Sequence, residues 1–358
     1  MNGELRIDLK ALAANYAKLD NMVSSQCVVA PSVKANAYGV GASKVVPALH
    51  AAGADHFFVA TPDEGMEIRK LLPDVSIYIL NGFWNKMQHI YGEYSLTPVL
   101  NSLSEIALYR AYAQTLNSEL PALLHFDTAM NRLGIVSDEA QHIYDNSDCL
   151  QGINVHYIMS HFASSEQSNN PSNASQYERF KNIMAYFPQH KFSLCNSGGV
   201  FLSPAYHLDM VRPGIALYGG MPSDKISDNP MQPVVSLDFP VLQVHSVKAG
   251  ETAGYNATYR FKRDGYVAIL AAGYADGVFR NLSDVGSVYW KEYKLPLRGR
   301  VSMDLVMCDL SHVREQDMPS AGDYVEMIGE NQTIDDLAQQ AGTISYEILT
   351  SLGHRYNR

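Results

Sequence analysis

Over roughly its first 220 residues the chain alternates short apolar runs with stretches whose apolar residues recur at three-and-four spacing. The runs fall at 27–33 (CVVAPSV), 56–60 (HFFVA), 75–80 (VSIYIL), 96–100 (LTPVL), 121–126 (PALLHF), 153–158 (INVHYI), 191–195 (KFSLC) and 207–211 (HLDMV). Val45, Val46, Leu49 and Ala52 form one helical stripe between them, and Ile106, Leu108, Tyr109 and Tyr112 another. Short strands alternating with helices predict parallel βαβ units, and about eight of them predict a closed (β/α)₈ barrel. A doubly wound open sheet fits less well, because no GxGxxG follows the first run. The Asp-, Ser- and Pro-rich stretch 222–233 (PSDKISDNPMQP) marks a change of texture. Beyond it, 234–247, 266–272, 287–290 and 300–310 predict strands, with one helix near 333–341 (TIDDLAQQA). The expected organisation is therefore an α/β barrel over 1–225 and a mainly β domain over 226–358.

Charge and cysteine content narrow the function. A net charge of −10 with no basic run argues against nucleic acid and anionic lipid as partners. No apolar run approaches the ~20 residues of a membrane helix. MNGELRIDLK carries charges where an export signal needs an apolar core, so the expected location is the cytoplasm. Cys27, Cys149, Cys195 and Cys308 share no CxxC spacing; neither a metal site nor a disulfide framework is read from them. The 22 tyrosines are numerous enough that some are expected to line a site, where a phenol combines an apolar ring with an acid/base group.

Candidate chemistry begins at 31–41, PSVKANAYGVG. Lys34 follows the first barrel strand, the end of a barrel where catalytic groups collect. A lysine there is either a counter-ion for phosphate or carboxylate, or a Schiff-base nucleophile of lowered pKa. Tyr38 lies four residues on, where a helical turn returns its hydroxyl to the same mouth. Two later segments, NSGG (196–199) and RPGI (212–215), pair small residues with backbone N–H groups suited to an anion: Asn196 and Ser197 in one, Gly214 and Ile215 in the other. Arg212 is either a cofactor ligand or half of a structural pair with Asp209.

The stretch VKANAYG resembles the signature of alanine racemases. Further matches follow in order: DTAMNRLG (127–134), MSHFA (159–163), CNSGG (195–199), VRPGIALYG (211–219), GYADG (273–277), GRVSMD (299–304) and AGTISYEILTSLGHR (341–355), with ELRIDLKALAANY (4–16) ahead of them. The resemblance implies a pyridoxal 5′-phosphate enzyme, an isomerase interconverting L- and D-alanine and supplying D-alanine for peptidoglycan. The alternative is a broader amino-acid racemase on the same scaffold, accepting serine among others. It also implies a homodimer with composite active sites. GYADG and GRVSMD set the chain apart from single-domain barrels that bind the same cofactor, and no HSGD-like phosphate motif points to a decarboxylase.

Residue by residue, the resemblance implies that Lys34 carries the cofactor and moves one proton, while Tyr274 moves the other on the opposite face. A phenol of pKa about 10 needs help to act as a base at neutral pH. His161, with Arg212 beyond it, is the expected neighbour. Arg212 would donate to the pyridine nitrogen and keep it unprotonated. Tyr38, His161, Asn196, Ser197, Arg212, Gly214, Ile215 and Tyr346 are the implied cofactor ligands. Arg132, the Met303 amide and Asp304 are implied on the substrate side. The chain departs from the pattern at His125. Many members carry a carbamylated lysine there that aligns the arginine matching Arg132, and histidine forms no such stable carbamate. Asn131 also stands where glycine is frequent.

Overall fold

The computed structural model describes residues 2–357, which divide into two compact units. One contains Leu12–Ala37 and Gly41–Gln232; the other contains the chain up to Ala11, Tyr38–Val40 and everything from Pro233 on.

The first unit is the eight-stranded parallel barrel. Its strands are Val28–Val29, His56–Val59, Ser76–Ile79, Thr97–Leu100, Leu120–His125, Ile153–Met159, Lys191–Ser193 and Met210–Val211, and from the second on each pairs with the next in sequence. The last pairs with the first, and a parallel bridge between Ser32 and Phe58 joins the remaining neighbours. Each expected apolar run overlaps one of these strands, with Leu120 and Met159 falling just outside the expected bounds. Ala30, Phe58, Tyr78, Val99, Leu123, Tyr157, Met159 and Met210 fill the interior as one buried cluster, so the barrel is a packed core with its chemistry confined to the mouth. The helix Ala42–Ala51 buries Val45, Val46 and Leu49 as its stripe predicts. In Leu103–Leu116 the buried face is Ile106, Tyr109 and Ala113; Leu108 points out, 41% exposed, one position off the three-and-four register.

The second unit is built on a seven-stranded antiparallel sheet in the order Glu4–Ile7, Val235–Val247, Gly265–Leu270, Val306–Asp309, Tyr293–Arg298, Ser287–Trp290, Tyr324–Ile328. The last strand also pairs with Val235–Val247, so most of the sheet closes on itself. One 13-residue strand can serve three neighbours because it is bulged between Val241 and Gln243. Helices Ile334–Ala341 and Ser345–Thr350 complete the unit. Among the described residues no helix is long and apolar enough to cross a membrane.

Candidate active site

Lys34 follows the first barrel strand and opens a turn of unusual hand. Ala35, Asn36, Ala37 and Tyr38 all have φ between 52° and 56°, a left-handed helical turn rather than the right-handed one the spacing suggests. Without glycine such a turn costs about 1–2 kcal/mol per residue, so its surroundings must hold it. Glu64 does part of this. It caps the helix Pro62–Leu71 and also accepts from the Ala35 amide at 2.6 Å and the Ala60 amide at 2.7 Å. Asn36 accepts the Ala42 amide at 2.8 Å, tying the turn to the next helix. Gly39 is left-handed too (φ +78°), and a Cβ there would lie 2.3 Å from the Leu349 carbonyl oxygen. The turn thereby aims Lys34 from a rigid base. Burial, and then the charge of Arg132, lower the Lys34 pKa, with Glu64 opposing.

Arg212 is nearly fully buried, yet all its partners are neutral. It donates to Ser193 Oγ, to the Ser160 carbonyl at 2.7 Å, to His161 Nδ1 at 3.3 Å and to the Leu194 carbonyl at 3.4 Å. The structural pair with Asp209 does not form; Asp209 accepts from the Phe192 amide at 2.7 Å instead. Burial lowers Arg212 to about 10, which leaves it cationic at neutral pH. Guanidinium only donates, so His161 accepts at Nδ1 and carries its proton on Nε2. Burial and then Arg212, Arg132, His125 and Lys34 push the His161 pKa well down, so it stands neutral.

The two small-residue segments converge. Asn196 caps the helix Ser197–Leu202, its Oδ1 accepting from the Gly199 amide at 3.1 Å and from Ser165 Oγ at 2.6 Å. Ser197 Oγ accepts the Gly214 amide at 2.8 Å and the Ala216 amide at 3.2 Å. With both lone pairs so engaged, its hydrogen is free to donate. The short turn Ile215–Tyr218 opens on Gly214, so Ser197 caps it from outside, and first-turn amides have no partner within their own helix. Lys34, Arg132 and Arg212 therefore share a mouth whose donors outnumber its acids, an arrangement complementary to an anionic group.

His125 and Arg132 belong to the same mouth. His125 is 8% exposed and bonds through Nδ1 to Asn101 Oδ1 at 2.8 Å. Burial, Arg212 and Arg132 lower its pKa to about 3. Arg132 is exposed, and its guanidinium has no partner among the described residues.

The other expected residues gather in the second unit. Tyr274 begins the short turn Tyr274–Asp276 and is 47% exposed. Its amide donates to the Ser302 carbonyl at 3.0 Å, and that of Ala275 to the Met303 carbonyl at 3.1 Å. This close seam requires Gly273, where a Cβ would lie 2.2 Å from the Met303 oxygen. Met303 is itself exposed. The Asp304 carboxylate accepts from Arg355 at 2.8 Å. Arg355 also forks onto buried Asp276 at 2.6 and 2.8 Å, and Asp276 accepts the Gly273 amide at 2.9 Å. Neither Asp276 nor Arg355 was among the sequence candidates. The signal was present, since GYADG and LGHR each contain one of them. Tyr38 and Tyr346 pack as neighbouring rings, centroids 5.9 Å apart.

Known proteins resemble the chain over its whole length. A family model for the alanine racemase N-terminal domain matches residues 7–222, and one for the alanine racemase C-terminal domain matches 234–358. The alanine racemase of Rickettsia bellii is 44% identical over 97% of this chain and 83% of the relative. A crystal structure of alanine racemase from Bartonella henselae, with covalently bound pyridoxal phosphate, superposes with a TM-score of 0.96 at 39% identity, covering 100% of this chain and 99% of that one. The biosynthetic alanine racemase of Pseudomonas aeruginosa gives 0.93 at 32%, covering 100% and 98%.

Proposed function

From the premise that the chain belongs to the alanine racemase family, we propose how its residues divide the work of the reaction. The protein is an isomerase that interconverts L- and D-alanine with pyridoxal phosphate as cofactor. The observation that carries the residue assignment is the mouth around Lys34, where Arg132 and Arg212 add two more cations, His161 is neutral and Glu64 is the acid that opposes Lys34. That donor set suits a cofactor with an anionic phosphate and an aldehyde that needs an amine. Lys34 would hold the aldehyde carbon; Ser197 and the Ile215 amide would hold the phosphate, with Asn196 capping the helix that Ser197 opens and the Gly214 amide tied to Ser197 Oγ, and Tyr38 and Tyr346 are proposed as further phosphate ligands. When bound, the cofactor supplies an electron-withdrawing π system that acidifies the Cα proton of the attached amino acid.

Arg212 would face the pyridine nitrogen. Because it only donates and stays charged, Arg212 would offer that nitrogen a hydrogen bond without a proton, which would favour reprotonation at Cα over side reactions. His161 supports this by accepting from Arg212. Lys34 Nζ, with its pKa lowered, takes or returns the proton on one face of Cα. Tyr274 Oη serves the opposite face. Arg132 and the Met303 amide orient the substrate carboxylate, with Asp304 beside them.

Tyr274, Met303 and Asp304 are proposed to act in the site of a second copy of the chain, giving a homodimer with two composite sites. The proposed role is supply of D-alanine for peptidoglycan in the cytoplasm. Incubating the purified protein with L-alanine and pyridoxal phosphate should abolish the optical rotation of the solution. Rotation that persists while the protein is folded and loaded would overturn the reading.

A further inference from the structure

His125 is a buried titratable group at the barrel mouth for which the reaction described above has no use. We propose that His125, held as the neutral tautomer protonated at Nδ1, accepts a hydrogen bond at Nε2 from the Arg132 guanidinium when that arginine turns to the substrate carboxylate, a bond the two side chains do not make here, and so sets its pose. The inference rests on the reading of Arg132 as a carboxylate ligand.

The tautomer follows from Asn101. Its Nδ2 donates to the Val99 carbonyl at 2.7 Å and to the Leu80 carbonyl at 3.2 Å, so the oxygen is the atom that faces His125. The Asn101 amide is itself held by Glu105 Oε2 at 3.0 Å. An amide oxygen only accepts, so the imidazole hydrogen sits on Nδ1 and Nε2 keeps its lone pair. Burial beside Arg212 and Arg132 excludes a second proton. His125 therefore presents one acceptor and no positive charge.

Of the two arginines that act on it, Arg132 is the one whose guanidinium has no acceptor among the described residues. Arg212 spends its terminal nitrogens on Ser193, Ser160, His161 and Leu194. Arg132 has no such partner among the described residues. The loop carrying Arg132 leaves from the residue after His125 and returns beside it. The Ile135 amide donates to the His125 carbonyl at 2.7 Å, and the Asp127 amide to the Ile135 carbonyl at 2.9 Å. Within the loop, Asp127 Oδ1 accepts the Met130 and Asn131 amides at 2.9 and 3.1 Å. A loop pinned at both ends to the neighbourhood of His125 holds Arg132 within its electrostatic reach, and the flexible side chain needs an acceptor to choose one pose.

Two substitutions separate the imidazole nitrogens. His125→Asn places an amide N–H where Nδ1 was, preserving the Asn101 bond but removing the Nε2 acceptor. His125→Gln places an amide oxygen near Nε2. The expected result is a KM for alanine raised about tenfold in His125→Asn, with kcat changed less than about threefold, and a KM close to wild type in His125→Gln. A purely structural role predicts the reverse order, and that order would overturn the proposal. Arg132→Ala is the control. If it leaves KM unchanged, the carboxylate reading itself fails; if it raises KM while His125→Asn does not, only the His125 proposal fails. A readout independent of turnover is the nitrogen spectrum of the wild-type histidine side chains, assigned with His125→Gln. Nε2 of His125 must appear unprotonated and shift when Arg132 is replaced. A protonated Nε2, or one indifferent to Arg132, would contradict the proposal.

Discussion

At the barrel mouth Arg212 is ringed by neutral oxygens and an imidazole, whereas in the second unit Arg355 divides its guanidinium between two carboxylates, Asp276 and Asp304. Both regions carry residues assigned to one reaction, yet they treat charge in opposite ways. The paired charges of the second unit consume one another and leave a rigid plate on which Tyr274 and Met303 sit. The mouth leaves buried Arg212 with neutral partners alone, and a buried cation without an acid costs several kcal/mol unless a ligand offsets it. The lesson is that preorganisation takes two forms here. On the proposed reaction, one region is finished before ligand arrives and the other is completed by it.

The comparison breaks most visibly at Lys34. On the proposed assignment Lys34→Ala would remove both the cofactor attachment and one proton carrier, so racemisation should fall about 10³-fold or more. Wild-type turnover without added amine would contradict the assignment. Arg212→Glu replaces an uncompensated cation with an acid that can protonate the pyridine nitrogen. Racemisation should fall about 10²-fold, and pyruvate should appear as alanine is transaminated. Its absence, with fold and cofactor intact, would refute the electronic argument.

In the second unit the expected effect is smaller and different in kind. Arg355→Met leaves the cations of the mouth alone but frees the Tyr274 turn from the Asp304 loop. A displacement of the proton carrier should lower kcat about tenfold or more while cofactor absorbance stays as in wild type. Arg355→Lys should recover part of the loss. An unchanged kcat in Arg355→Met would mean that the plate is not needed for Tyr274.

The smallest effect concerns acid. His125 is buried neutral, with a pKa near 3 against about 6.5 in the unfolded chain. The unfolded state therefore binds an extra proton between those values, so stability is full above about pH 6.5 and falls as pH drops towards 3. The slope for this one histidine is about 1.4 kcal/mol per pH unit. Urea melts at pH 7, 6 and 5 should show His125→Gln losing less stability on acidification than wild type. Parallel curves would mean that His125 is not held neutral.

Much of this was legible in the sequence. Barrel strands are buried on both faces, so they stand out as apolar runs, and Lys34, Ser197 and Arg212 fall at their ends. What escaped notice depends on distant partners or rare backbone. Glu4–Ile7 is a strand because it pairs with Val235–Val247, more than 200 residues away. The left-handed turn after Lys34 is built from Ala, Asn and Ala, none of which announces it as glycine would. Arg355 and Asp276 are 79 residues apart, and His125 owes its tautomer to Asn101, 24 residues earlier. Leu108 was misassigned because helical spacing alone does not say which face turns inward.

The central claim is that the two proton carriers sit in two differently built regions contributed by two copies of the chain. Co-expressing Lys34→Ala and Tyr274→Phe chains with different tags, and purifying on both, yields heterodimers of two individually inactive proteins. In each heterodimer one site joins an intact Lys34 to an intact Tyr274, so alanine racemisation should return, up to one working site per dimer. Heterodimers that are proven by mass, loaded with cofactor and still inactive would place Tyr274 in its own chain's site or outside the reaction.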